Sequence, residues 1–173
     1  DAVNGTTTGI SAHDRAETIR VFVRPESKPD DLARPGHVFP LQSFHGGVLR
    51  RSGHTEATVD LARMAGLYPA GVLCEIMDDD GSMALMPRLI EIADSHGLKI
   101  ITIKDLIEYR RQTEILVKRL VTTTMPSKYG EFTSHLYEDT LTGEHHVVLV
   151  KGVIEGAQDI LVRVHSQCLT GDV

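Results

Sequence analysis

The densest run of chemically capable side chains is Arg50-Arg51-Ser52-Gly53-His54-Thr55-Glu56, at the head of an apolar-periodic segment. Arginines beside the exposed amides of a helix start suit a phosphate or another anion. His54 beside them could hold a metal or pass a proton. A second imidazole, His37, follows the rigid turn Arg34-Pro35-Gly36. Glu75 interrupts the otherwise apolar run AGVLCEIM over residues 70–77, where an unpaired carboxylate would be costly to bury. Thr8 and Ser11 stand just before a helix signal and could face an anion. Each has a plainer reading. His37 and His54 could simply make structural hydrogen bonds, Glu75 an ion pair, Thr8 and Ser11 a helix cap. The clustering, rather than any one residue, favours function. Toward the other end, Arg163-Val164-His165-Ser166-Gln167 leads into Cys168, which alone could be a buried structural thiol. His145 and His146 are adjacent, so on a strand they point to opposite faces and do not chelate together.

The elements that must carry these residues follow from periodicity and punctuation. Ser11 with Asp14 three residues on signals a helix over 14–23, closed by Pro25. Helices are predicted over 55–66, capped by Thr55, over 87–97, between Pro87 and Gly97, and over 104–111. Short strands are predicted within 36–49 and over 70–77 and 99–103. Beyond residue 111 the pattern changes: 115–121, 131–137, 146–150 and 160–164 read as strands punctuated by Pro126 and by glycines, without helices between them. The expected fold class is α+β, a layered α/β domain over 1–111 followed by a β-rich α+β unit over 112–173.

The chain has 173 residues and a net charge of −6. An apolar fraction of 41% suits a globular fold. The acidic balance argues against a nucleic-acid partner, and no apolar run suffices for a membrane span. Cys74 and Cys168 are too few and too far apart for a disulfide framework, which favours a reducing compartment. The chain opens on Asp1 rather than methionine, so a fragment of a longer protein is expected.

Taken together, RPGHVFPL (34–41), GGVLRRSGHTEATVDLARMAG (46–66), PAGVLCEI (69–76) and DDGSMA (79–84), preceded by TTGISAHDRAETIR (7–20), resemble 3,4-dihydroxy-2-butanone 4-phosphate synthase. That resemblance implies conversion of ribulose 5-phosphate to the butanone phosphate and formate, with Mg2+ or Mn2+, in riboflavin biosynthesis. It implies His37 and Glu75 as catalytic residues, His54 as a metal ligand, and Arg51, Ser52, Gly53, His54, Thr55, Glu75 and Thr8 as substrate-binding. It further implies a homodimer. The family's Arg-Glu-x-Glu-Gly-Asp motif, source of a second metal ligand, does not occur in these residues, and Leu85 stands where the family commonly has arginine. The chain as given is therefore expected to be inactive.

MPSKYGEF (125–132), GEHHVVLVKG (143–152) and ILVRVHSQCLTGD (160–172) resemble the start of GTP cyclohydrolase II. This implies hydrolytic opening of the guanine ring of GTP with release of formate and pyrophosphate. Arg163, Val164, His165, Ser166 and Gln167 are then the GTP-binding stretch, and Cys168 the first cysteine of a Zn2+ site. Gln167 replaces the usual glutamate. The expected whole is a bifunctional enzyme of the bacterial cytoplasm, or of a plastid if from a plant. The alternative is that one domain is active and the other is a degenerate scaffold or dimerisation module.

Overall fold

The computed structural model describes residues 1–166 and 168. It divides into two units, Asp1–Arg110 and the residues from Arg111 on, with the division inside the fourth helix. The molecule is α+β: helices in the first unit, a small antiparallel sheet in the second.

Helix α1 spans Ala12–Val23. The Ser11 hydroxyl accepts the Asp14 amide at 3.0 Å, satisfying one of the donors that a helix start leaves open. The helix ends at Arg24 (φ −70°, ψ 129°), as expected of a residue preceding proline. The first residues lie antiparallel to 31–33: Val3 donates to the Asp31 carbonyl at 2.9 Å and Ala33 to the Asp1 carbonyl at 2.7 Å. Buried Thr18 of α1 accepts the Ala2 amide at 2.9 Å, fastening this segment to the helix.

Helix α2, His54–Met64, starts one residue earlier than the sequence predicts, and Gly53 rather than Thr55 is its N-cap. Thr55 thus falls inside the first turn, where its hydroxyl cannot cap. A 3-10 turn over Gly47–Leu49 packs beside α2, and Val48, Ala57 and Leu106 form a small core with Ile103 and Ile107. Helix α3 is Met86–His96, with Pro87 in its first turn. Gly97 takes the left-handed conformation (φ 62°) and Leu98 donates to the Ala93 carbonyl at 2.8 Å, a Schellman closure. Helix α4 is Ile103–Thr113, opened by Thr102, whose hydroxyl accepts the Asp105 amide at 3.1 Å.

The strands predicted in this unit do not form. Residues 36–46 are irregular up to the 3-10 turn, 70–76 run without regular structure to an isolated Met77–Met83 bridge, and 98–102 are likewise irregular. A strand buried on both faces needs neighbouring strands for its amides and carbonyls, and among the described residues no strand pairs with 70–76.

In the second unit, β1 (Val117–Ser127), β2 (Gly130–Asp139) and β3 (His145–Val150) form an antiparallel sheet in sequence order. The β1–β2 turn is Lys128-Tyr129, with Ser127 opposite Gly130. Pro126, a strand separator by the sequence pattern, lies instead within β1, opposite Glu131. It is tolerated because β1 is an edge strand, where a missing amide need not break a ladder. A register shift between Arg119 and Val121 bends the same strand. The strand predicted at 160–164 does not form; residues 151–166 contain turns but no regular element.

Candidate active site

The loop after Pro35 holds His37 by a single carboxylate. Asp1 Oδ1 accepts the His37 amide at 2.9 Å and Asp1 Oδ2 lies 2.7 Å from His37 Nδ1. The Asp1 side chain is mostly buried (15% exposed), whereas the His37 ring is 44% exposed. An ionised carboxylate only accepts, so His37 Nδ1 is the donor, and in the neutral ring Nε2 is the nitrogen that can accept a proton. The carboxylate thereby orients the ring. Gly36 permits the approach: a Cβ there would fall 2.3 Å from the Asp1 nitrogen.

Arg51, Ser52, Gly53, His54 and Thr55 follow one another into the first turn of α2, with the Arg51, Ser52 and His54 side chains exposed. Two buried carboxylates one helical turn apart, Glu56 and Asp60, tie α2 to the loop before it. Glu56 Oε1 accepts the Phe44 amide at 3.1 Å and Asp60 Oδ2 accepts the Val48 amide at 2.8 Å. Arg110 of α4 adds a 2.7 Å ion pair to Asp60 and donates to the Gly46 carbonyl at 2.9 Å. The Phe44 amide, aided by the amide of Glu56 itself and then by the nearby Arg51 guanidinium, outweighs burial and holds the Glu56 carboxyl below its usual range.

Thr8 lies exposed in the turn before α1. That turn folds over buried Asp14, whose Oδ2 accepts the Thr7 hydroxyl at 2.8 Å and the Gly9 amide at 3.0 Å. The Thr7 hydroxyl leads in lowering the Asp14 carboxyl, against the opposing effect of burial. Ser11 acts here as a helix cap.

Glu75 is exposed in the irregular 70–76 segment, not buried in a strand as expected, because the described residues supply no sheet around it. Leu85 is the N-cap residue of α3, 74% exposed.

In the second unit Arg163, Val164, His165 and Ser166 are exposed and lie outside any regular element, with Arg163 Nη2 3.3 Å from His165 Nδ1. Cys168 is exposed, and Gln167 lies outside the described residues. His145 and His146 sit on β3 opposite Glu138 and Tyr137.

Among the described residues no three His, Cys, Asp or Glu side chains converge as a metal site would require. His54 offers one imidazole where magnesium prefers several oxygens, and Cys168 one thiol where zinc takes about three protein ligands. Neither residue set fits its ion alone. No helix among the described residues is long and apolar enough to cross a membrane.

Sequence reading passed over Asp1 and Asp60. The residue that Asp1 holds is 36 positions away, so no local pattern betrays it. Asp60 had a usable signal: it follows Glu56 by four residues on the helix face that carries Ala57.

The 3,4-dihydroxy-2-butanone 4-phosphate synthase family model matches residues 1–109, and the GTP cyclohydrolase II model matches 118–173. The chain is 59% identical to the riboflavin biosynthesis protein RibBA of Aquifex aeolicus, covering 98% of this chain and 42% of that protein. Against the bifunctional riboflavin biosynthesis protein RIBA 1, chloroplastic, of Arabidopsis thaliana, identity is 56%, covering 100% of this chain and 32% of the relative. The monofunctional RIBA 2, chloroplastic, of the same plant is 53% identical, covering 100% of this chain and 36% of its own length. The chain thus spans less than half the length of these relatives. Among solved structures, RibBX, a two-domain 3,4-dihydroxy-2-butanone 4-phosphate synthase from A. baumannii, superposes with a TM-score of 0.72 at 51% identity, covering 87% of this chain and 45% of that one. A 3,4-dihydroxy-2-butanone 4-phosphate synthase in complex with two magnesium ions gives 0.57 at 40% identity, covering 65% and 58%. The chain belongs to the 3,4-dihydroxy-2-butanone 4-phosphate synthase family, and residues 118–173 match the GTP cyclohydrolase II model.

Proposed function

We propose that the full-length protein converts ribulose 5-phosphate to 3,4-dihydroxy-2-butanone 4-phosphate and formate for riboflavin biosynthesis, with residues 1–111 as part of the synthase domain. The observation that supports this best is the His37–Asp1 pair, because a ketose rearrangement needs an oriented base beside the carbonyl. His37 Nε2 takes a proton from the carbon next to the ketone, and Asp1 stabilises the imidazolium that results. Arg51 through Thr55, at the first turn of α2, bind the phosphate, with Thr8 as a further contact. Glu75 serves as the second acid–base group. A divalent ion, Mg2+ or Mn2+, would polarise the sugar oxygens, with His54 as one ligand completed from outside the described residues. Formate release from ribulose 5-phosphate by the full-length protein tests the reading; an equal rate in the His37→Asn variant would overturn it.

Residues 112–173 we assign to a GTP cyclohydrolase II domain, with Arg163 to Gln167 at GTP and Cys168 at zinc. Release of formate and pyrophosphate from GTP, with zinc content measured on the same sample, tests this half. A second reading, one working domain beside a scaffold, is favoured by the 53% identity to a relative described as monofunctional. Synthase turnover without GTP turnover would select it. A homodimer, and a bacterial cytoplasmic or plastid setting, complete the proposal.

A further inference from the structure

Arg51 is held from two sides by residues that the reading of the substrate site does not use. Its Nη1 lies 3.5 Å from Glu56 Oε1, and its guanidinium carbon is 5.9 Å from the centroid of the Phe44 ring. The two supports are themselves joined, since Glu56 Oε1 also accepts the Phe44 backbone amide at 3.1 Å. Phe44, Arg51 and Glu56 therefore form a closed triangle across the loop before α2. The Glu56 side chain is fully buried while Arg51 remains 59% exposed. A buried carboxylate is a fixed anchor, and an exposed arginine tethered to it loses rotamer freedom but keeps donors for a ligand. Glu56 Oε2 has no hydrogen-bond partner among the described residues, so Oε1 makes both the Phe44 and the Arg51 contact.

We propose that Glu56 and Phe44 are positioning residues that preset the Arg51 guanidinium for the phosphate of the substrate. A free arginine would lose conformational entropy on binding; here that ordering occurs during folding, so the triangle acts on substrate affinity rather than on the chemical step. The inference rests on the proposed role of Arg51 at the substrate phosphate.

The test uses the full-length protein with ribulose 5-phosphate, and inorganic phosphate as a competitive inhibitor. Phe44→Leu removes the ring but keeps the backbone amide on Glu56, and Glu56→Gln removes the charge at nearly constant shape. Phe44→Leu is expected to raise KM and the phosphate inhibition constant together by about two- to fivefold, with kcat nearly unchanged. Glu56→Gln is expected to raise both by about fivefold. In an Arg51→Ala background neither substitution should move KM further, which a merely structural role would not predict. An unchanged KM in Phe44→Leu, or effects that persist without Arg51, would overturn the inference. If Glu56→Gln does not fold, Phe44→Leu and its Arg51→Ala double variant decide alone. If Arg51→Ala itself leaves KM unchanged, the phosphate-site reading fails first, and the two failures are distinguishable.

Discussion

Asp1 grips His37 twice, by the ring at 2.7 Å and by the backbone amide at 2.9 Å, although the two stand 36 positions apart in sequence. One carboxylate thus sets both where the imidazole stands and which of its nitrogens carries the proton. The relationship resembles the carboxylate–histidine pairing of other acid–base sites, where the carboxylate orients the ring rather than taking its proton.

Asp1→Asn keeps the shape but offers an amide that can flip, so the ring loses its enforced tautomer. In the full-length protein kcat for formate release should fall about 10- to 100-fold with little change in KM. His37→Asn should cost about 100- to 10,000-fold. Steady-state kinetics with ribulose 5-phosphate check both; an Asp1→Asn enzyme with unaltered kcat would remove the positioning role.

Asp60 and Arg110 form the one strongly buried ion pair described in the first unit, 3% and 11% exposed at 2.7 Å. Asp60→Ala would remove the carboxylate paired with Arg110 and leave the Val48 amide without its acceptor. A loss of about 3–5 kcal/mol is expected, read as a lowered denaturation midpoint. The neighbouring Arg63, 53% exposed and 3.8 Å from Asp60, should matter far less; Arg63→Ala should cost no more than about 1 kcal/mol.

Two glycines fail for opposite reasons when replaced by alanine. At Gly53 the backbone is ordinary (φ −113°), but a Cβ would lie 2.5 Å from Glu56 Oε2. At Gly97 nothing lies within 4 Å, but φ is +62°. Gly97→Ala should therefore cost about 1–2 kcal/mol of stability and leave catalysis alone. Gly53→Ala should displace the Glu56 carboxylate and raise KM. Paired melting curves and KM values separate the two; a raised KM in Gly97→Ala would contradict the assignment.

Acid stability should report Asp14. Its folded carboxyl is held below the unfolded value, first by the Thr7 hydroxyl, with burial opposing. The stabilisation is therefore complete above the unfolded pKa of about 3.9 and is lost as pH falls through the lower folded value. Thr7→Val removes the leading donor, so acid unfolding should begin at higher pH, while stability at neutral pH also declines. Acid titration followed by circular dichroism checks the direction.

The helices were legible because their signals are local. Ser11 caps α1, Pro25 ends it, and Gly97 closes α3, each through contacts within a few residues. The sheet was legible only in part: strands without helices between them follow residue 111, but β1 runs on through Pro126 to Ser127. The apolar run at 70–77 misled because β-propensity describes a side chain's fit to a sheet, and the partners must come from elsewhere. Thr55 misled by a single position, since a cap is defined by backbone geometry that composition does not reveal.

By itself the amino-acid sequence determined the family, through ordered motifs whose residue types and spacing are covalent facts. It also placed Arg51 to Thr55 at the head of a helix, because helix periodicity is local. Tertiary structure alone decided that Asp1 holds His37 and that Glu56 and Asp60 are buried. Those contacts join residues 36 and 12 positions apart, and only a folded backbone brings such distant amides and carboxylates within hydrogen-bonding reach.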